Sequence, residues 1–178
     1  MILKLYYYND PILRKKTKKI SEITPEIKQL AEDMIETMDA SNGVGLAAPQ
    51  VGKSISMFVM REDKYDDKGE LVLGDAKVFI NPKLSNPSKT TNVLTEGCLS
   101  LPGLHLEIKR PNTIYVEALD IEGKPFKGEL KDYFARVVMH ENDHLNGVLF
   151  FDRVSKKEKN EVLPVLKKIK EKYSKILN

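Results

Sequence analysis

Ile27, Leu30, Ala31, Met34, Ile35 and Met38 recur at three- and four-residue intervals, the spacing of one apolar helix face. Thr24 suits the N-cap of that helix, Pro25 its first position, Glu26 its first turn and Gly43 its end. After Gly43 the period changes. Ile55 to Met60, Lys77 to Asn81, Thr91 to Thr95 and the alternating Leu104 to Lys109 predict strands. Thr113 to Asp120 and Pro125 to Leu130 flank Glu122-Gly123 as a β-hairpin would. The charged stretch from Arg61 to Ala76 predicts an exposed turn or hairpin with low functional content. Helical spacing returns from about Lys131 to Asn146, where Phe134, Val137, Val138 and Leu145 form an apolar face and Gly147 marks the end. A third helix begins at Ser155, with Glu158 three residues on as a capping box. Pro164 should kink or interrupt it. The order helix, short strands, helix, helix predicts an α+β fold, with antiparallel sheets packed around a central helix and a further helix at each end of the chain.

Composition adds bounds. The chain has 178 residues, 41% hydrophobic and 31% charged, with no internal repeat or domain boundary, so residues 1–178 are expected to form one domain. No apolar run approaches the ~20 residues of a membrane span. The start, Met-Ile-Leu-Lys-Leu-Tyr-Tyr-Tyr, resembles neither a signal nor a transit peptide, which points to the cytoplasm. The single cysteine, Cys98, excludes an intrachain disulfide. The net charge is +3, yet Ser155 to Asn178 alone carries eight Lys and three Glu, leaving −2 on the body. Residues 155–178 form a basic helical tail.

The chemistry concentrates in three stretches. Met139 to Leu145 contains His-Glu-x-x-His. On a helix, His140 and His144 share a face and can hold one metal ion, with Glu141 beside it as a base. A catalytic site needs a third protein ligand and an open position. Candidates are Cys98, His105 and many carboxylates; Cys98 reads first as a ligand, next as buried apolar filler and last as a free reactive thiol. In the third stretch, Gly43 to Gln50, two glycines and two alanines require something large near the backbone, either a ligand or another element. The Gln50 amide can donate to a developing oxyanion.

Together the three stretches resemble peptide deformylases, the metallohydrolases that remove the N-formyl group from nascent polypeptides. The family's motifs have the form Gly-x-Gly-Leu-Ala-Ala-Pro-Gln, Glu-Gly-Cys-Leu-Ser and His-Glu-x-Asp-His-Leu. Here they stand at Gly43 to Gln50, Glu96 to Ser100 and His140 to Leu145, in the same order. The resemblance runs from Asp10-Pro11-Ile12-Leu13-Arg14 to about Arg153. It implies that Cys98, His140 and His144 ligate the metal and that Glu141 is the general base and acid. Gln50 and the Leu99 N–H would bind the oxyanion. Gly43, Val44, Gly45, Glu96, Gly97 and Val137 would bind substrate, Val44 and Val137 lining the methionine pocket. Arg110 would partner Glu96 and support the Cys98 loop. The implied reaction releases formate from formyl-methionyl peptides. The implied ion is Fe(II), with Zn, Ni or Co able to take its place. Two departures stand out: Met139 where many members have Gln, and His105 near where some carry a substrate-contacting Arg. His105 itself is expected to be a half-exposed strand residue outside the active site.

A zinc endopeptidase is the rival enzyme reading, with Glu158 or Glu161 as a downstream ligand. A ribosome-associated module with a structural metal is the non-enzymatic rival, but it lacks a second cysteine to close the site. The tail's stripe of Val162, Val165, Leu166, Ile169, Tyr173 and Ile176 can pack on the body. Its lysines suit RNA phosphates, and family members with such a tail dock on the ribosome with it. Truncation after about Phe151 or Val154 should then weaken ribosome binding far more than peptide hydrolysis. Nothing points to a membrane or to DNA as a partner.

Overall fold

Met57-Phe58-Val59-Met60 is fully buried along its whole length, because it is covered on both faces. Alternate side chains of a strand point to opposite sides. Met57 and Val59 pack with Met34 and Met38 of helix α1 (Pro25–Ala40). Phe58 and Met60 pack with Val137 and Val138 of helix α2 (Asp132–Leu145). The sheet is therefore sandwiched between the two helices.

The computed structural model describes residues 1–65 and 67–174. Among them the strands are β1 (Gly45–Ala47), β2 (Met57–Tyr65), β3 (Leu71–Ser85), β4 (Thr91–Glu96), β5 (Leu106–Pro111), β6 (Thr113–Leu119) and β7 (Pro125–Lys131). Five form one antiparallel sheet in the order β1-β2-β3-β6-β7. β4 and β5 form a separate antiparallel pair. With the three helices this is an α+β architecture. No described helix is long and apolar enough to cross a membrane.

The charged stretch after Arg61 is the hairpin expected, but both strands run further into it than the hydrophobic pattern suggests. β3 is 15 residues long and changes partner along its length, from β2 to β6, with a register shift between Ile80 and Lys83. Strand β1 and the 3-10 turn Ala48–Val51 occupy the Gly43 to Gln50 stretch. Thr24 precedes α1 but makes no capping hydrogen bond through its side chain.

Helix α3 (Lys156–Ser174) differs most from expectation. It opens with the Ser155–Glu158 capping box, Ser155 N donating to Glu158 Oε2 at 2.9 Å. It then continues through Pro164 without interruption. Pro164 and Asn160 are both exposed, so the Asn160 carbonyl that loses its helical donor faces water. Val162 and Leu166 on either side are anchored in an apolar cluster. That cluster also contains Leu13, Leu101, Leu104, Ile108, Phe150 and Phe151, with Cys98 packed against it. α3 is thus part of the core beneath the Cys98 loop, and truncation would open that core. Val165 is exposed rather than packed, and Ile176 lies outside the described residues.

Candidate active site

A cavity of about 540 Å³ opens between α2, the β1 edge and the loop after β4. Helix α2 supplies His140, Glu141 and His144, all buried. The i, i+4 spacing sets the two imidazoles edge to face, with ring centroids 5.2 Å apart. Cys98 enters from the loop after β4, and its Sγ lies 3.2 Å from His144 Nε2. Ligand atoms of Cys98, His140 and His144 all lie within 4.8 Å of one another. Donors bound to one ion at about 2.0–2.3 Å are separated by at most roughly 4.6 Å, so these atoms sit close to coordinating positions. A thiolate with two imidazoles suits a divalent transition ion. Among the described residues the group has three protein donors, which match an open, catalytic type of site. Two buried atoms at the group, Glu141 Oε2 and His144 Nδ1, have no hydrogen-bond partner among the described residues.

A layer of buried charge holds these groups in place. His140 Nδ1 meets Glu96 Oε2 at 2.9 Å, which directs the other ring nitrogen toward the centre. Arg110 donates from Nε and Nη2 to both Glu96 oxygens, at 2.6 and 2.9 Å, and from Nη1 to Asp143 at 2.9 Å. Arg136 donates to Glu96 Oε1 at 2.6 Å and to the Ile108 carbonyl at 2.8 Å. Arg153 pairs with Asp143 from the outside. Glu96 lines the cavity, and its carboxylate is engaged by Arg110, Arg136 and His140.

Burial alone would raise the Glu96 pKa, but hydrogen bonds from Arg110 and His140 outweigh it and bring it down to about 2. Burial likewise works against a charged His140, yet Cys98 and Glu96 outweigh it and push the value up to about 10. Burial pushes Glu141 up to about 7. Burial, helped by the neighbouring His140 charge, holds His144 well below its ordinary value. A divalent ion competes with protons for these same imidazoles.

Gln50 is fixed by its own turn. Its Oε1 accepts from Ala47 N at 2.8 Å, so Nε2 points to Ser100 Oγ at 3.2 Å and Cys98 Sγ at 3.4 Å. The two glycines before it are pressed closely by protein. A Cβ on Gly43 would lie 2.8 Å from Leu99 Cδ1, and one on Gly45 would meet the Glu141 carboxyl. Val44, Gly97, Leu99 and Val137 line the cavity with them. His105 is exposed, precedes β5 rather than lying within it, and also lines the cavity, its ring 3.1 Å from a Cβ on Gly97. The sequence reading had placed it outside.

Arg136, Asp143, Ser100, Tyr7 and Tyr133 were not anticipated. Arg136 left a signal: a charged residue four before His140, within the apolar face of the helix.

The polypeptide deformylase family model matches residues 2–160 of the chain. The chain belongs to the peptide deformylase family. A peptide deformylase of Borreliella burgdorferi is 43% identical over 161 residues, covering 90% of this chain and 93% of its own. A plant peptide deformylase crystal structure superposes with a TM-score of 0.87 at 38% identity, covering 97% of this chain and 91% of that one. A peptide deformylase from Synechococcus elongatus in complex with actinonin superposes with a TM-score of 0.78 at 35% identity, covering 96% and 85%. The activity is deformylation, the metal-dependent hydrolysis of the N-formyl group from formyl-methionyl polypeptides during protein biosynthesis. The endopeptidase reading is not favoured: the residue grouped with the two histidines is Cys98, upstream of the helix, and Glu158 caps α3.

Proposed function

We propose that Cys98, His140 and His144 hold the divalent ion and that α2 is the central, ion-bearing helix of the fold. The observation that carries this is the convergence of their three donor atoms beside the unpartnered oxygen of Glu141. When bound, the ion supplies a Lewis acid that polarises the formyl oxygen and acidifies the attacking water. Glu141 takes that water's proton as oxygen attacks the formyl carbon. Gln50 Nε2 and the Leu99 N–H donate to the developing oxyanion, each donor contributing about 3–4 kcal/mol to transition-state binding. Glu141 then hands the proton to the nitrogen as the C–N bond breaks, giving formate and a free amino terminus. Val44 and Val137 line the pocket for the methionine side chain, whose flexible thioether fills such a site well.

The soft thiolate is compatible with Fe(II) or Zn, and Fe(II) is the proposed physiological ion, with Ni or Co able to substitute. The test is anaerobic hydrolysis of formyl-Met-Ala-Ser with metal analysis, for wild type and Glu141→Ala. The variant should keep its ion and lose at least about 100-fold in kcat. Absence of formate release by the metal-loaded wild type would overturn the assignment.

The exposed lysines of α3, among them Lys167, Lys168 and Lys170, suit a further role in docking on ribosomal RNA from a cytoplasmic location. Because α3 is also core, substitution tests this better than truncation. Changing these three lysines to Ala should weaken ribosome binding and flatten its salt dependence without altering peptide hydrolysis. Unchanged ribosome binding would rule the docking role out.

A further inference from the structure

Three consecutive tyrosines run along the wall of the site. Tyr6 N donates to the Gln50 carbonyl at 2.8 Å and Tyr8 N to the Ser100 carbonyl at 2.9 Å. The segment thereby bridges the Gln50 turn and the Cys98 loop. Tyr6 and Tyr8 pack against the cluster shared with α3, Tyr8 edge-on to Phe151 at 5.7 Å. Tyr7, between them, lines the cavity. Its ring is stacked on Tyr173 from the last turn of α3, with centroids 3.8 Å apart and planes 22° from parallel. Tyr173 lies four residues beyond the buried Ile169, on the apolar stripe that seats the helix. Burial, together with Tyr173, raises the Tyr7 pKa, so the ring faces the cavity as a neutral phenol.

The cavity is larger than its reacting end requires. A formyl-methionyl group has ten non-hydrogen atoms, which even at a water molecule's full ~30 Å³ apiece, a generous allowance for bonded atoms, fill no more than about 300 Å³. The cavity holds about 540 Å³. The remainder accommodates chain beyond the methionine, and Tyr7 with Leu5 supplies an apolar surface in its lining.

We propose that Tyr7 is a specificity-determining wall for the residues that follow the formylated methionine, and that Tyr173 is its positioning residue, so that the end of α3 shapes the peptide site. This rests on the cavity being the deformylation site. An aromatic wall favours apolar or aromatic side chains at those positions, which enter against a flat, neutral ring.

The test compares formyl-Met-Leu-Phe with formyl-methioninamide, which has nothing beyond the methionine, using the metal-loaded full chain. Tyr173→Ala should raise KM for the tripeptide about three- to tenfold, with kcat within about twofold. KM for the amide should change by less than about twofold. Tyr173→Phe should restore the wild-type ratio of the two KM values, since stacking needs the ring and not the hydroxyl. Tyr7→Ala should penalise the tripeptide at least as much, and Tyr7→Ala with Tyr173→Ala should add nothing further. If Tyr173→Ala unfolds, Tyr173→Leu keeps the helix seated in its apolar site and should show the same split. Equal penalties on both substrates, additive effects, or an unchanged KM ratio would overturn the proposal. A wild type that hydrolyses neither substrate would instead bring down the deformylation reading beneath it.

Discussion

Gly45 and Glu141 share one space: a Cβ on the glycine would lie 2.8 Å from the Glu141 carboxyl carbon. The glycine leaves the room that the Glu141 carboxyl, the proposed base, occupies, in addition to any contact with substrate. Gly45 sits in β1, where Ala is otherwise acceptable, and its backbone is not in the left-handed region. Gly45→Ala should therefore leave the fold and metal content intact while displacing Glu141. A displacement approaching 1 Å should lower kcat about 100-fold. Steady-state kinetics with metal analysis checks this, and a kcat within twofold of wild type would show that Glu141 relaxes without penalty.

Arg110 joins Glu96 to Asp143 in the interior. Removing one partner of a buried ion pair leaves the other charge uncompensated, at about 3–5 kcal/mol. Arg110→Met should show a loss of that size in urea unfolding. Glu96→Gln should weaken metal affinity about 10- to 100-fold, because Glu96 orients the His140 ring. A stability loss below about 1 kcal/mol in the first variant would mean that Arg136 and Arg153 can take over.

Leu166 and Leu163 separate the buried and exposed faces of α3. Leu166 is 3% exposed and Leu163 54%. Leu166→Ala should cost about 2–5 kcal/mol. Leu163→Ala should stay within about 0.5 kcal/mol of wild type. Equal effects in denaturant titrations would show that the helix is not seated as described.

Asp39 and Arg61 tie α1 to β2 through two hydrogen bonds of 2.7 and 2.6 Å. The Arg61 hydrogen bonds hold the Asp39 pKa below the usual carboxylate range, against the opposing effect of burial. The resulting stability is present in full above the unfolded value of about 3.9 and is lost as pH falls below it toward the folded value. Asp39→Asn should be less stable than wild type at pH 7, with the gap narrowing as pH falls below the unfolded carboxylate value of about 3.9. Urea midpoints measured from pH 7 downward decide it; a gap that does not narrow as the solution is acidified would assign the effect to packing.

The metal-capable grouping of Cys98, His140 and His144 was legible because its chemistry is encoded locally, as residue types within short motifs. The charged layer behind them was not. Arg136 on the apolar face and Asp143 inside the motif are visible in the sequence, but their partners are not until β4 and β5 bring Glu96 and Arg110 against them. The glycines signalled a close approach, but only the fold identifies what approaches. Pro164 misled because its local penalty is overridden by the seating of Val162 and Leu166. The Tyr7–Tyr173 stack joins opposite ends of the chain, and no local pattern records it.

The groups around Cys98 are also far apart along the chain. Gln50 reaches it across 48 residues, His144 across 46, and Glu96 meets His140 across 44. Contacts of that range carry a loop-closure cost that only the folded domain as a whole offsets, so they form and break with it. No fragment of the chain can carry the reaction by itself. Loss of turnover in denaturant should therefore coincide with global unfolding, which makes catalytic activity a direct gauge of how much of the population is fully folded.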